Sequence, residues 1–200
     1  MRSMGNNIQS NLSKQLQFGG GRNSHIDWHD YNFPPLIKLI HFKLSDFEGA
    51  EKSVIKKMYI SWILLIVVLI LNILSTIVLS ATVLKGINVL YSFLNLFLFS
   101  VAGTFVFFWG YYGIAKRESG PILRYKIGAG ILAILYLMFS IWNLGAFNGW
   151  VRISELSDYD EGAAGFGIFM SIAESTLYTV NALLSGYCLY LVHREAFEES

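Results

Sequence analysis

The chain has 200 residues, of which 54% are hydrophobic, 16% aromatic and 14% charged, with a net charge of +1 and one cysteine, Cys188. Soluble domains carry about one-quarter charged residues, so a water-soluble fold has nowhere to place this much apolar surface. The near-zero charge excludes a nucleic-acid footprint, and a lone cysteine excludes an intrachain disulfide or a multi-cysteine zinc site.

Residues 1–30 are rich in Asn, Ser, Gln and Gly and show no hydrophobic period, which predicts a flexible tail. Within it, His25-Ile26-Asp27-Trp28-His29-Asp30 has metal-capable side chains but nothing to orient them, so no metal or other cofactor is expected. No cleavable signal peptide is legible in the first fifty-odd residues. Over residues 31–57, Asn32-Phe33-Pro34-Pro35-Leu36 punctuates the chain, because each proline disfavours helix before it. From Leu36 to Phe47, Leu36, Ile37, Ile40, Leu44 and Phe47 share about a third of a helical wheel, predicting a short amphipathic helix that lies at the interface on the headgroups or packs against the cytosolic ends of the bundle.

Four apolar spans follow, at about 59–84, 89–115, 127–147 and 163–192. The first two form a hairpin interrupted by Lys85-Gly86-Ile87-Asn88, since one helix through both would be ~84 Å long against a hydrocarbon core of ~30 Å. The expectation is an all-α four-transmembrane-helix bundle over 58–192, ending in a short C-terminus at 193–200. Eight Lys and Arg precede the first span, four lie between the second and third and Arg194 follows the last, whereas only Lys85 and Arg152 fall in the other two loops. The positive-inside rule then places both termini in the cytosol.

Each span carries an asparagine: Asn72, Asn95, Asn143 and Asn181. These read first as interhelical adhesive, at about 0.6 kcal/mol per hydrogen bond. On the fourth span, Ser171, Glu174, Ser175, Tyr178, Asn181 and Ser185 recur at helical spacing and form one polar face. An intramembrane carboxyl is costly unless paired or hydrated, so Glu174 marks the alternative function, a small ion or proton transporter or channel. Cys188 reads as a buried thiol or a palmitoylation site. No arrangement of nucleophile, base and oxyanion donors is legible, so no enzyme is expected.

Between the second and third spans, Lys116, Arg117, Arg124 and Lys126 form a basic loop suited to anionic headgroups, phosphoinositides among them. Trp109, Tyr111 and Tyr112 precede it as interfacial anchors, with Trp150 as a fourth on the other side.

In layout from about Asn32 to Phe197, the chain resembles the secretory carrier membrane protein family. Asn32-Phe33-Pro34-Pro35-Leu36 is similar to its Asn-aromatic-Pro-Pro-Leu segment. Trp109, Tyr112, Gly113, Ala115 and Arg117 resemble its aromatic-basic peptide between spans two and three, and Gly149-Trp150 resembles its lumenal Gly-Trp pair. The family peptide's leading Cys is replaced by Phe108, its Arg-Pro pair is missing, and no Asn-Pro-Phe repeat occurs. The resemblance implies a short, non-enzymatic tetraspan protein of vesicle trafficking, in secretory vesicles, Golgi, endosomes or plasma membrane. Its implied partners are membrane lipids and trafficking proteins, with homo- or hetero-oligomers left open, and residues 32–36 dock the cytosolic segment.

Overall fold

The computed structural model describes residues 26–33, 38, 40–81, 84–144, 146–158 and 162–198, in two units, 1–49 and 50–200. The described residues are all-helical, with five α-helices and no strand beyond one isolated bridge.

In the first unit, the described residues of 36–47 do not form the predicted helix. Phe33 and Ile40 instead make an antiparallel bridge, Lys38 sits at φ 51°, and only Leu44–Asp46 turns, as a 3-10 helix. Side chains hold this loop where a helical ladder would compete. Asn32 Oδ1 accepts the Phe42 amide at 2.9 Å, and the Phe33 and Phe42 rings meet edge to face at 5.3 Å. His41, 4% exposed, bonds the Asp30 carbonyl through Nδ1 at 3.0 Å and Asp46 Oδ2 through Nε2 at 2.9 Å. The last residues of the predicted tail are therefore ordered: the Asp30 amide donates to the Asp27 carbonyl and the Asp27 carboxyl accepts from the His29 amide. Residues 1–25, Pro34, Pro35 and Leu36 lie outside the described residues. Replacing Asn32 with alanine removes one hydrogen bond, about 1 kcal/mol net, and is expected to speed exchange of the Phe42 amide about fivefold in hydrogen-exchange measurements.

The second unit holds α1 (Gly49–Leu79), α2 (Ile87–Lys116), α3 (Ser119–Ile141), α4 (Trp150–Leu156) and α5 (Gly162–Glu198). Helix α1 starts ten residues before the predicted span, because Lys52, Lys56 and Lys57 delimit an apolar window without ending the helix. Its buried face, Val54, Ile55, Met58, Trp62, Leu65, Leu69 and Asn72, keeps one helical period through them. Helices α2 and α3 are joined by Arg117 and Glu118 alone, so the predicted basic loop is mostly helix, with Arg124 and Lys126 inside α3. Pro121 falls in the first turn of α3, where its missing N–H removes no helical bond. The two-residue turn needs Gly113, whose added Cβ would lie 2.9 Å from the Ile122 amide nitrogen. Helix α3 stops at Ile141, short of the predicted 147, and α5 runs through Glu198, beyond the predicted 192.

Among the described residues, α1, α2 and α3 are long and apolar enough to cross a membrane. Helix α5, at 37 residues, is longer than any of them, but its polar stripe dilutes its hydropathy. Leu65, Val68 and Leu69 pack with Leu132, Tyr136 and Phe139 of α3 and with Phe147, Tyr178 and Ala182, Phe147 stacking on Phe139 at 3.9 Å. Large apolar side chains point outward, Phe97 at 72% and Leu183 at 68% exposure, as lipid-facing positions do.

Candidate functional site

Two features of the second unit gather the sequence-predicted residues, one at the basic end of the bundle and one inside its opposite half. At the basic end, α2 closes on Arg117 in the left-handed region (φ 54°, ψ 37°), whose amide reaches the Gly113 and Ile114 carbonyls. Lys116, Arg117 and Arg124 are exposed here and Lys126 is half-buried. Arg117 Nη2 meets Glu51 Oε1, in the first turn of α1, at 3.2 Å. Glu51 is a partner that the sequence reading missed, because 66 residues separate the two.

The aromatic anchors divide. Trp109 and Tyr112 are half-buried, tilted against Phe105 at 6.2 Å and Phe108 at 5.7 Å. Tyr111, predicted as a third anchor, is fully buried and does not reach the surface: it stacks on Phe107 at 6.2 Å, because it shares the inward face of α2 with Phe107 and Gly110. Trp150 is 42% exposed at the start of α4, at the opposite end.

Inside the opposite half, Glu174 is fully buried and is the hub of a hydrogen-bonded cluster. Its Oε1 accepts from Ser75 Oγ at 2.6 Å and from Asn148 Nδ2 at 3.1 Å, and its Oε2 accepts from Asn72 Nδ2 at 2.9 Å. Asn72 Nδ2 also donates to the Ala146 carbonyl at 2.8 Å, and Ser175 Oγ to the Asn148 carbonyl at 3.1 Å. The hub thus ties α1 and α5 to the non-helical segment after α3, which folds back so that Ala146, Phe147 and Asn148 are buried. Nearer the basic end, Ser61 Oγ donates to Asn181 Oδ1 at 2.6 Å and pairs with Ser185 Oγ at 2.9 Å.

The remaining two asparagines behave differently. Asn95 is half-buried on α2, and Asn143, inside the predicted third span, lies past the observed end of α3 and donates to Glu155. Sequence reasoning missed Ser75, although it follows Asn72 by three residues on one helix face, and missed Asn148, which no helical period could reveal. Cys188 is 1% exposed and lines a half-open pocket of about 30 Å³ with Tyr125, Tyr136, Ser61 and Ser185, which accords with the buried-thiol reading.

The hub presents donors to the carboxyl, and no Lys, Arg or His meets Glu174 among the described residues. Seven residues of α5, roughly 10 Å, separate it from Asn181, and Leu65, Val68, Leu69, Leu132, Tyr136 and Tyr178 pack together along that stretch. A carboxyl met by neutral donors from three segments is the arrangement of a helix fastener. Residues 30–198 match the SCAMP family. The chain belongs to that family, the secretory carrier membrane proteins. Membership is consistent with a membrane protein of vesicle trafficking in general. No curated protein and no solved structure matches the chain.

Proposed function

We propose that this SCAMP family protein crosses the bilayer four times, with both termini cytosolic, and organises anionic lipid and trafficking partners at its basic end during vesicle budding, recycling or fusion. The observation that carries the reading is the convergence of Lys116, Arg117 and Arg124 at one end of the bundle, beside the half-buried rings of Trp109 and Tyr112. Rings at the headgroup level and cations just beyond them suit a negatively charged leaflet, each cation contributing about 1 kcal/mol. Helix α5 serves as the fourth crossing, because its polar side chains turn inward onto α1 and leave Phe169, Val180, Leu183 and Tyr190 outward. Golgi, endosomal and secretory-vesicle membranes or the plasma membrane are the compartments that fit this role.

Protease protection of tags on each terminus tests the topology, and lumenal termini would remove the basic end from the anionic leaflet. The double variant Lys116→Gln/Arg124→Gln is expected to weaken anionic-lipid enrichment around the reconstituted protein by about 2 kcal/mol, roughly thirtyfold. Unchanged lipid enrichment together with unchanged subcellular distribution would refute the proposal.

A further inference from the structure

The basic end contains its own anion. Glu51 and Arg117 meet at 3.2 Å with side chains 28% and 58% exposed, so the pair is open to solvent and to any headgroup at that level. Exposed ion pairs of this kind are weak and exchange readily. A phosphate monoester offers a guanidinium more oxygen acceptors and more charge than one carboxylate does.

The backbone supplies a second observation. Arg117 occupies a left-handed conformation (φ 54°) at a helix C-terminus, where glycine or asparagine is the usual residue. Holding an arginine there stores conformational strain, and it aims the guanidinium from the two-residue α2–α3 turn at the first turn of α1. Lys116 and Arg124 stand exposed on either side of the same turn.

We infer that Glu51 is an internal competitor for a phosphate-bearing lipid headgroup at Arg117. The carboxylate occupies the guanidinium when the leaflet is poor in such lipid, and a headgroup displaces it when the leaflet is rich, releasing the first turn of α1. The inference rests on the lipid-binding reading above and adds its regulation: affinity is set by an intramolecular occupant as well as by the number of cations. Displacement also exchanges an α1–α2 contact for a lipid contact, so lipid composition alters how α1 is fastened at this end.

The test uses the full chain in phosphatidylcholine nanodiscs, titrated with a short-chain phosphatidylinositol bisphosphate, with soluble inositol phosphate as a second arm. Glu51→Gln is expected to bind the lipid about threefold to fivefold tighter than the unaltered protein, the factor an exposed pair supports. Glu118→Gln removes the same charge immediately beside Arg117 without breaking the pair, and is expected to give less than half that gain. In an Arg117→Gln background, Glu51→Gln is expected to gain nothing beyond Glu118→Gln. Equal gains from the two carboxylate variants, or a Glu51→Gln gain that survives loss of Arg117, would overturn the inference while leaving lipid binding intact. Absence of lipid binding by the unaltered protein would overturn the lipid reading itself. An equal gain for soluble inositol phosphate would overturn the assignment of the ligand at Arg117 to a membrane headgroup.

Discussion

Glu174→Ala is expected to destabilise the bundle by about 2–4 kcal/mol, the cost of leaving several buried neutral donors without their common acceptor. The change deletes the acceptor for Ser75 Oγ, Asn72 Nδ2 and Asn148 Nδ2 together. Each donor left unpaired inside the bundle costs about 1–3 kcal/mol, reduced where a second acceptor remains. Asn72 keeps the Ala146 carbonyl, and Asn148 keeps Ser75 Oγ at 2.7 Å, so the three penalties do not add in full. Glu174→Gln preserves volume and one acceptor oxygen but turns an N–H toward existing donors, and a smaller loss of about 1 kcal/mol is expected.

The protein carries its own reporter for this experiment. Cys188 is the one cysteine and is 1% exposed, so its reaction with a thiol-specific fluorophore on heating records opening of the bundle. The expected order of labelling temperature is unaltered protein, then Gln, then Ala. Labelling of the alanine variant at the unaltered temperature would show that the hub fastens nothing. Equal damage from Gln and Ala would show that charge, rather than the number of acceptors, is what the cluster requires. Because no Lys, Arg or His meets Glu174 among the described residues, none of these variants is expected to change a pH-driven ion flux in liposomes.

The extent of what could be read from the amino-acid order follows from the range of each signal. Long apolar runs with charges between them report where hydrocarbon ends, and α2, predicted over 89–115 and observed as Ile87–Lys116, has its one charge in its last residue, with Lys85 two residues before its start. Helix α1 starts before the predicted span because Lys52, Lys56 and Lys57 sit off the face of Val54, Ile55 and Met58, where they do not interrupt the helix. The inward stripe on α5 was legible from spacing alone, and Ser175, Tyr178, Asn181 and Ser185 are indeed buried. Its partners were legible only in part. Asn72 announced itself as an isolated amide in an apolar run, Ser75 and Ser61 did not stand out among ordinary small residues, and Asn148 sits in a segment with no period. The predicted helix over 36–47 failed for the reverse reason: a tolerable wheel lost to hydrogen bonds from Asn32 and His41 that act across the loop.

Gly149→Ala is the second change expected to have a large effect, and its cause is backbone crowding rather than lost polarity. A Cβ built on Gly149 would stand 2.5 Å from the Trp142 carbonyl oxygen and 2.6 Å from the carbonyl carbon and oxygen of Ile141. These atoms are the closing turn of α3, where the Trp142 amide donates to the Met138 carbonyl at 2.9 Å. Side chains can rotate away from a new methyl, but this backbone can yield only if α3 frays or residues 146–149 lift. Lifting them pulls Asn148 from Glu174 and Ser75, so strain at one residue propagates into the hub. Overpacking alone costs about 1–3 kcal/mol, and the attached hydrogen bonds bring the expected loss to the upper part of that range or above it. Coupling is the sharper expectation: with Glu174 already replaced by alanine, the anchoring that Gly149→Ala disturbs is weakened, and the two losses should sum to less than their separate values. Cys188 labelling of the two single variants and the double variant measures this directly. Strict additivity would mean that the folded-back segment and the Glu174 hub are held independently.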